Sequence, residues 1–65
     1  MEMTYSPDVE YRIKDGYDGY VVCCYTDNGK VVDFNVNSLE EANKVVLGML
    51  EKAHRILVYS VTWAW

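Results

Sequence analysis

Apolar and polar residues alternate along two stretches of the chain, 9–14 and 30–36. This period of two predicts half-buried β-strands. Between them, residues 20–26 form a β-branched and aromatic run that is also typical of a strand. The connection 15–19 contains two glycines, and the next contains Asn28-Gly29, the pair that favours a type I′ turn. We therefore predict three strands joined by two hairpins.

The predicted turns also fix which side chains share a face of the sheet. With a two-residue turn at Asn28 and Gly29, residues of the second and third strands pair when their numbers add up to 57, as Tyr25 and Val32 do. The side chains of paired residues lie on the same face of the sheet. A three-residue loop over 16–18 in the first hairpin extends that face to the first strand. The predicted core face consists of Val9, Tyr11, Ile13, Val21, Cys23, Tyr25, Val32, Phe34 and Val36.

A capping box opens a helix after the third strand. The Ser38 hydroxyl can accept from the Glu41 amide while the Glu41 side chain reaches back to the Ser38 amide. One apolar stripe then runs along the predicted helix, from residue 39 to about 53 or 54. Its members are Ala42, Val45, Val46, Met49, Leu50 and Ala53. Leu47 lies off this stripe and is a candidate contact residue or an isolated surface leucine.

A last strand follows at 56–63, where both parities are largely apolar, which indicates a central or parallel position. The fold class is therefore α+β, a four-stranded, mainly antiparallel sheet in the order β-β-β-α-β with one helix packed on one face. The simplest arrangement places the fourth strand beside the first and parallel to it, in the spatial order 3-2-1-4. At 65 residues, we expect a single domain over 1–65.

Negative charge is concentrated in the first two thirds of the chain. Residues 1–41 contain nine acidic and three basic residues, a net charge of −6, within a total of −4. Direct binding of DNA or RNA needs Lys and Arg to displace phosphate counterions, so this composition argues against it. It fits either a solvated acidic surface or docking onto a basic protein by electrostatic steering.

The sequence contains no arrangement typical of a catalytic or metal site. Cys23 and Cys24 are adjacent in a strand, point to opposite faces and cannot bond each other without distortion, so we expect free thiols. His54 is the only histidine, and we interpret it as capping the helix C-terminus. Phosphate loops, nucleophile elbows and metal-ligand spacings are absent from the sequence. We therefore expect no enzyme activity, no cofactor and no bound metal.

Three motifs, Tyr11-Arg12-Ile13, Asp18-Gly19-Tyr20-Val21-Val22 and Ser38-Leu39-Glu40-Glu41-Ala42, precede an amphipathic helix. In this order they resemble HicB-like antitoxin domains, over roughly residues 9–53. The resemblance implies a truncated ribonuclease-H-like β-β-β-α-β unit and a small toxin ribonuclease as partner.

In length, acidity and lack of catalytic groups, the chain also resembles phage-encoded inhibitors of host defence, including anti-CRISPR proteins. That resemblance implies a protein partner with a basic nucleic-acid-binding surface, for example a Cas effector subunit, and a location in the host cytoplasm. Carboxylates would replace phosphates on that partner, with an aromatic contact from a tyrosine. The predicted partner-binding residues are Asp15, Asp18, Asp27, Asp33, Glu40, Glu41, Tyr17 and Tyr20.

A homodimeric structural module is the remaining alternative, joined through Trp63, Trp65 and the sheet face without a helix. Two tryptophans among three residues are difficult to bury in so small a domain, and aromatic residues anchor interfaces. Trp63 could instead close the end of the core, or this segment could be a disordered tail. The N-terminus lacks the features of a signal peptide, and we expect no membrane association.

Overall fold

The chain forms one mixed sheet with one helix, as the computed structural model describes it for residues 7–63. The order β-β-β-α-β and the α+β class are confirmed. Trp65 lies outside the described residues. The elements are β1 Asp8–Arg12, β2 Gly19–Thr26, β3 Val31–Val36, α1 Leu39–Met49 and β4 Ala53–Val61.

The spatial order of the strands is β1-β4-β2-β3, so the predicted order 3-2-1-4 is wrong. β4 is parallel to β1, as predicted, but it lies between β1 and β2 and is antiparallel to β2. The longest strand thus gains two partners, and β1, with its charged face, lies at an edge. The connection at 13–18 is consequently a crossing over the end of β4 rather than a hairpin loop.

The β2–β3 hairpin closes with a three-residue loop, not with the predicted two-residue turn. The Gly29 amide donates to the Thr26 carbonyl at 3.0 Å, and the Thr26 amide donates to the Lys30 carbonyl at 2.9 Å. Gly29 has a φ of 78°, whereas Asn28 is not among the residues with positive φ. A type I′ turn needs positive φ at both central residues, so this loop is a type I turn followed by a left-handed glycine.

The longer loop shifts the register between β2 and β3 by one residue. As a result, the face of β2 that was predicted to be exposed is the one that faces the helix. Tyr25 pairs with Val31 and Cys23 pairs with Asp33. Because side chains alternate across a strand, the predicted face of β2 is wrong, while the predicted faces of β1 and β3 are correct. Tyr20, Val22 and Cys24 face the helix, and Val21, Cys23 and Tyr25 lie on the opposite face.

The helix begins where predicted but is shorter at its C-terminal end. The Ser38 hydroxyl accepts from the Glu41 amide at 3.2 Å, whereas the Glu41 carboxylate accepts from the Asn37 amide rather than from Ser38. The helix ends at Met49, because β4 pairs with β2 as far as Thr26 and must therefore begin at Ala53. His54 thus lies on a strand, and its predicted role at the helix C-terminus is wrong.

The core lies between α1 and the helix-facing side of the central strands. The buried members of this cluster are Val22, Cys24, Ala42, Val46, Ala53, Ile56 and Val58. The buried residues of α1 are Ala42 and Val46, which pack against this side of the sheet. Among the described elements, α1 contacts β2, β3 and β4 but makes no backbone contact with β1.

Candidate binding surfaces

Four of the predicted carboxylates lie at one end of the sheet. The register places the start of β2 beside the ends of β3 and β4, because Tyr20 pairs with Val36 and Gly19 pairs with Val61. The 13–18 connection crosses this end, and α1 begins there directly after β3. We call Asp15, Asp18, Glu40 and Glu41 the acidic end.

Within residues 7–63, none of these four carboxylates forms a salt bridge. Glu41 accepts the Asn37 amide at 3.2 Å, and both glutamates lie in the first turn of α1, where the helix dipole stabilises negative charge. The nearest bases in sequence are Lys14, beside Asp15, and Lys44, one helical turn after Glu40 and Glu41, and among the described residues neither forms a salt bridge with these carboxylates. The acidic end therefore presents carboxylates that internal pairing does not neutralise.

Asp27 and Asp33 do not join this group. Asp27 lies in the β2–β3 loop at the opposite end of the sheet, where its Oδ1 is 3.3 Å from His54 Nδ1. Asp33 lies in the middle of β3, on the face without the helix, opposite Cys23. The structure thus divides the six predicted carboxylates into a group of four and two separate residues.

The two predicted tyrosines have different positions. Tyr17 is exposed in the 13–18 connection, beside the acidic end. Tyr20 is half-buried and packs against the core under α1. Of these two, Tyr17 has the ring that a partner can reach.

The sheet face opposite the helix is centred on a small polar cluster. The Arg55 guanidinium lies 5.4 Å from the centre of the Tyr25 ring, close enough for a cation–π contact. Burial, followed by a hydrogen bond to Asp33, raises the pKa of the Cys23 thiol. On the other face, burial raises the pKa of Cys24. Both thiols are therefore protonated at neutral pH and are weak nucleophiles.

Trp63 covers one end of that same face. Its half-buried indole occupies the space that a Cβ at Gly19 would need. Gly19 shares the parity of Val21, so the ring lies on the face opposite the helix rather than over the helix-side core. This position differs from the predicted closure of the core and gives Trp63 an internal contact.

A further apolar surface lies between α1 and the edge strand β1. Seven large hydrophobic side chains are exposed in the part of the chain that the structure describes, and four of them lie here. We call these four, Tyr11, Ile13, Leu39 and Leu47, the α1–β1 surface. Of these four, Leu47 alone is a contact candidate from the sequence, and the predicted core positions of Tyr11 and Ile13 are wrong because β1 lies at an edge that α1 does not cover and Ile13 follows its end.

Two kinds of site have no counterpart in the 7–63 segment. No three His, Cys, Asp or Glu side chains converge there to hold a metal ion. The helix in this segment is not long and apolar enough to cross a membrane.

Comparison of the chain with protein-family models, with curated proteins and with solved structures finds no match.

Proposed function

We propose that this protein is a small, non-enzymatic binding protein that inhibits a nucleic-acid-handling partner by occupying its basic surface. The observation that supports this proposal is the acidic end, where four carboxylates that form no salt bridge within residues 7–63 lie at one end of the sheet. Carboxylates presented in this way attract a surface of Lys and Arg, and the attraction also accelerates encounter. In this proposal the protein acts by occupancy, as in the anti-CRISPR class that it resembles in size and charge.

The proposed contact is narrower than the set predicted from sequence. It consists of Asp15, Asp18, Glu40 and Glu41, with the exposed ring of Tyr17 as a neighbouring aromatic contact. Asp27 lies at the opposite end of the sheet, Asp33 lies on the face without the helix, and Tyr20 packs in the core. A Cas effector subunit is one example of a partner with the required basic surface.

The test compares two triple variants of equal charge change. Asp15→Lys/Asp18→Lys/Glu40→Lys reverses the acidic end, and Asp8→Lys/Asp27→Lys/Asp33→Lys reverses three exposed carboxylates outside the proposed contact. The tagged wild type should capture a nucleic-acid-binding protein from host lysate, and duplex DNA should compete with the capture. In a gel mobility-shift assay, the wild type should also displace labelled DNA from that captured protein.

We expect the acidic-end variant to lose capture and displacement, and the control variant to retain both. Circular dichroism checks that each variant is folded. Equal loss in both variants would mean that net charge alone matters, and capture that neither variant weakens, or no capture by the wild type, would mean that the acidic end is not the contact. Each of these three results contradicts the proposal.

A further inference from the structure

Among residues 7–63, most of the exposed large hydrophobic side chains lie on the α1–β1 surface. The exposed fractions are 68% for Leu47, 49% for Tyr11, 38% for Ile13 and 37% for Leu39. Single exposed apolar residues are ordinary, but a contiguous group on a soluble protein marks an interaction site. Tyr11 and Ile13 share one parity at the end of β1, and Leu39 and Leu47 lie on the flank of α1 whose Asn43 accepts from the Tyr11 hydroxyl.

One contact shows which flank of the helix adjoins β1. The Tyr11 hydroxyl donates to Asn43 Oδ1 at 3.2 Å. Leu39 and Leu47 are each four residues from Asn43, so all three lie in one row along the helix. The apolar surface of α1 therefore extends beyond its buried stripe onto the flank that adjoins β1.

The sheet is wider than its single helix can cover. Four strands place the outer strand axes roughly 14 Å apart, whereas one helix with its side chains is about 10 Å across. Because α1 lies over β2, β3 and β4 and makes no backbone contact with β1, the uncovered width is on the β1 side. A second helix packed parallel to α1 at about 8–10 Å would fill this width.

The charges around this surface indicate which helix would fit. Glu40 and Glu51 lie beside the row of Leu39 and Leu47, on its solvent side, with Lys44 between them. At the end of the surface, Asp15 and Asp18 follow Ile13 in the connection, with Lys14 as the single base. Carboxylates thus outnumber ammonium groups by four to two.

We propose that the α1–β1 surface binds a basic amphipathic helix of the partner protein. The apolar side of that helix packs on Leu47, Tyr11 and Ile13, and its Lys and Arg side chains reach Glu40, Glu51 and the acidic end. A second copy of this chain fits poorly, because its own α1 would bring Glu40 and Glu51 against like charges. This inference rests on the proposed function, since it gives the basic partner a helix and a docking position.

The probe for this surface is an amidated peptide of about 18 residues, long enough for helix-in-groove binding. It contains leucine and lysine with leucines at helical spacing. Two comparison peptides have the same composition in scrambled order and glutamate in place of lysine. Isothermal titration to the full chain should show binding of the leucine–lysine helix at least about tenfold tighter than binding of either comparison peptide.

Leu47→Ser should weaken that binding about tenfold, the effect of removing one buried leucine from an interface. The matched control is Val31→Ser, which shortens a side chain of similar exposure on β3, at the far edge of the sheet. We expect it to change the affinity less than about twofold. Both side chains are exposed, so neither substitution removes core packing.

The outcomes separate this inference from the proposed function. Equal affinity for the three peptides, no binding, or equal effects of Leu47→Ser and Val31→Ser would each overturn the helix-binding surface. If such a result accompanies loss of partner capture by the acidic-end variant, the proposed function still holds. A dimer in sedimentation that Leu47→Ser converts to a monomer would assign the surface to a second copy, and would also overturn the inference.

Discussion

Gly19 has no side chain, and this allows the Trp63 indole to pack against its backbone. Its backbone lies directly against the Trp63 indole, so a Cβ would overlap the ring. The steric demand at this position comes from a residue more than forty positions away in the chain. It therefore could not be read from the local sequence, where Gly19 was interpreted as part of a hairpin loop.

We predict that Gly19→Ala destabilises the protein by about 1–3 kcal/mol, the usual cost of an added group in a well-packed site. Gly48→Ala is the matched control, since no atom lies within 4 Å of a Cβ there. In the exposed helix it should stabilise by about 0.5–1 kcal/mol. Urea denaturation measures both, and a Gly19→Ala protein as stable as wild type would show that Trp63 does not pack on this residue.

The β2–β3 hairpin shows, at the level of an element, how one turn residue decides the faces of a strand. Residues on both parities of β2 are apolar, so the hydrophobic pattern locates the strand without choosing its core face. That choice depended on the turn, and Asn28-Gly29 is compatible with a two-residue and with a three-residue loop. The loop that forms is the longer one, which moves Cys23 away from the helix and brings Cys24 beneath it.

Two substitutions distinguish these loops. Gly29→Ala should cost about 1–2 kcal/mol, because, of the two residues compared here, Gly29 is the one with positive φ. Asn28→Ala should cost less than about 0.5 kcal/mol, as for an ordinary surface change. Thermal unfolding measures the difference. Comparable losses in the two variants would indicate a type I′ turn, which requires positive φ at both positions.

For the helix, the sequence predicts the first residue but not the last. Its capping signal is local, and the start at Leu39 was predicted correctly from Ser38 and Glu41. Its end was not, because the apolar stripe continues to Ala53, which is buried in either conformation. Pairing between β4 and β2 overrides the helical period there, and such pairing joins residues far apart in sequence.

At the scale of the whole molecule, the sequence contains an indication of the strand order that the predicted order 3-2-1-4 did not take into account. β1 has five residues and charged side chains on one face, which suits an edge, whereas β4 has nine residues and is apolar on both parities. The sequence also predicts only part of the candidate binding surface, because it shows which segments follow a strand end but not the register of the hairpin. Asp15, Asp18, Glu40 and Glu41 belong to segments next to the same strand ends, while Asp27 and Asp33 depend on the length and register of the hairpin.

Native-state hydrogen exchange tests this order. Amides of both β2 and β4 should be the slowest to exchange, because each strand is bonded on two sides, while alternate amides of β1 and β3 face solvent and should exchange faster. Along Ile56, Leu57 and Val58, protection should be continuous. Alternating fast and slow amides over these residues would place β4 at an edge, as in the order 3-2-1-4.

The central position of β4 has a consequence for how the sheet assembles. β2 and β3 can pair early through their short loop, but β1 pairs, among the described strands, with β4 alone, which lies more than forty residues later in the chain. Closing so long a segment costs entropy before any contact compensates for it, and contacts of this kind slow folding. We therefore expect β1 to stay unpaired until β4 forms. Because β4 lies between β1 and β2, its pairing with these two strands joins β1 to the β2–β3 hairpin and completes the sheet.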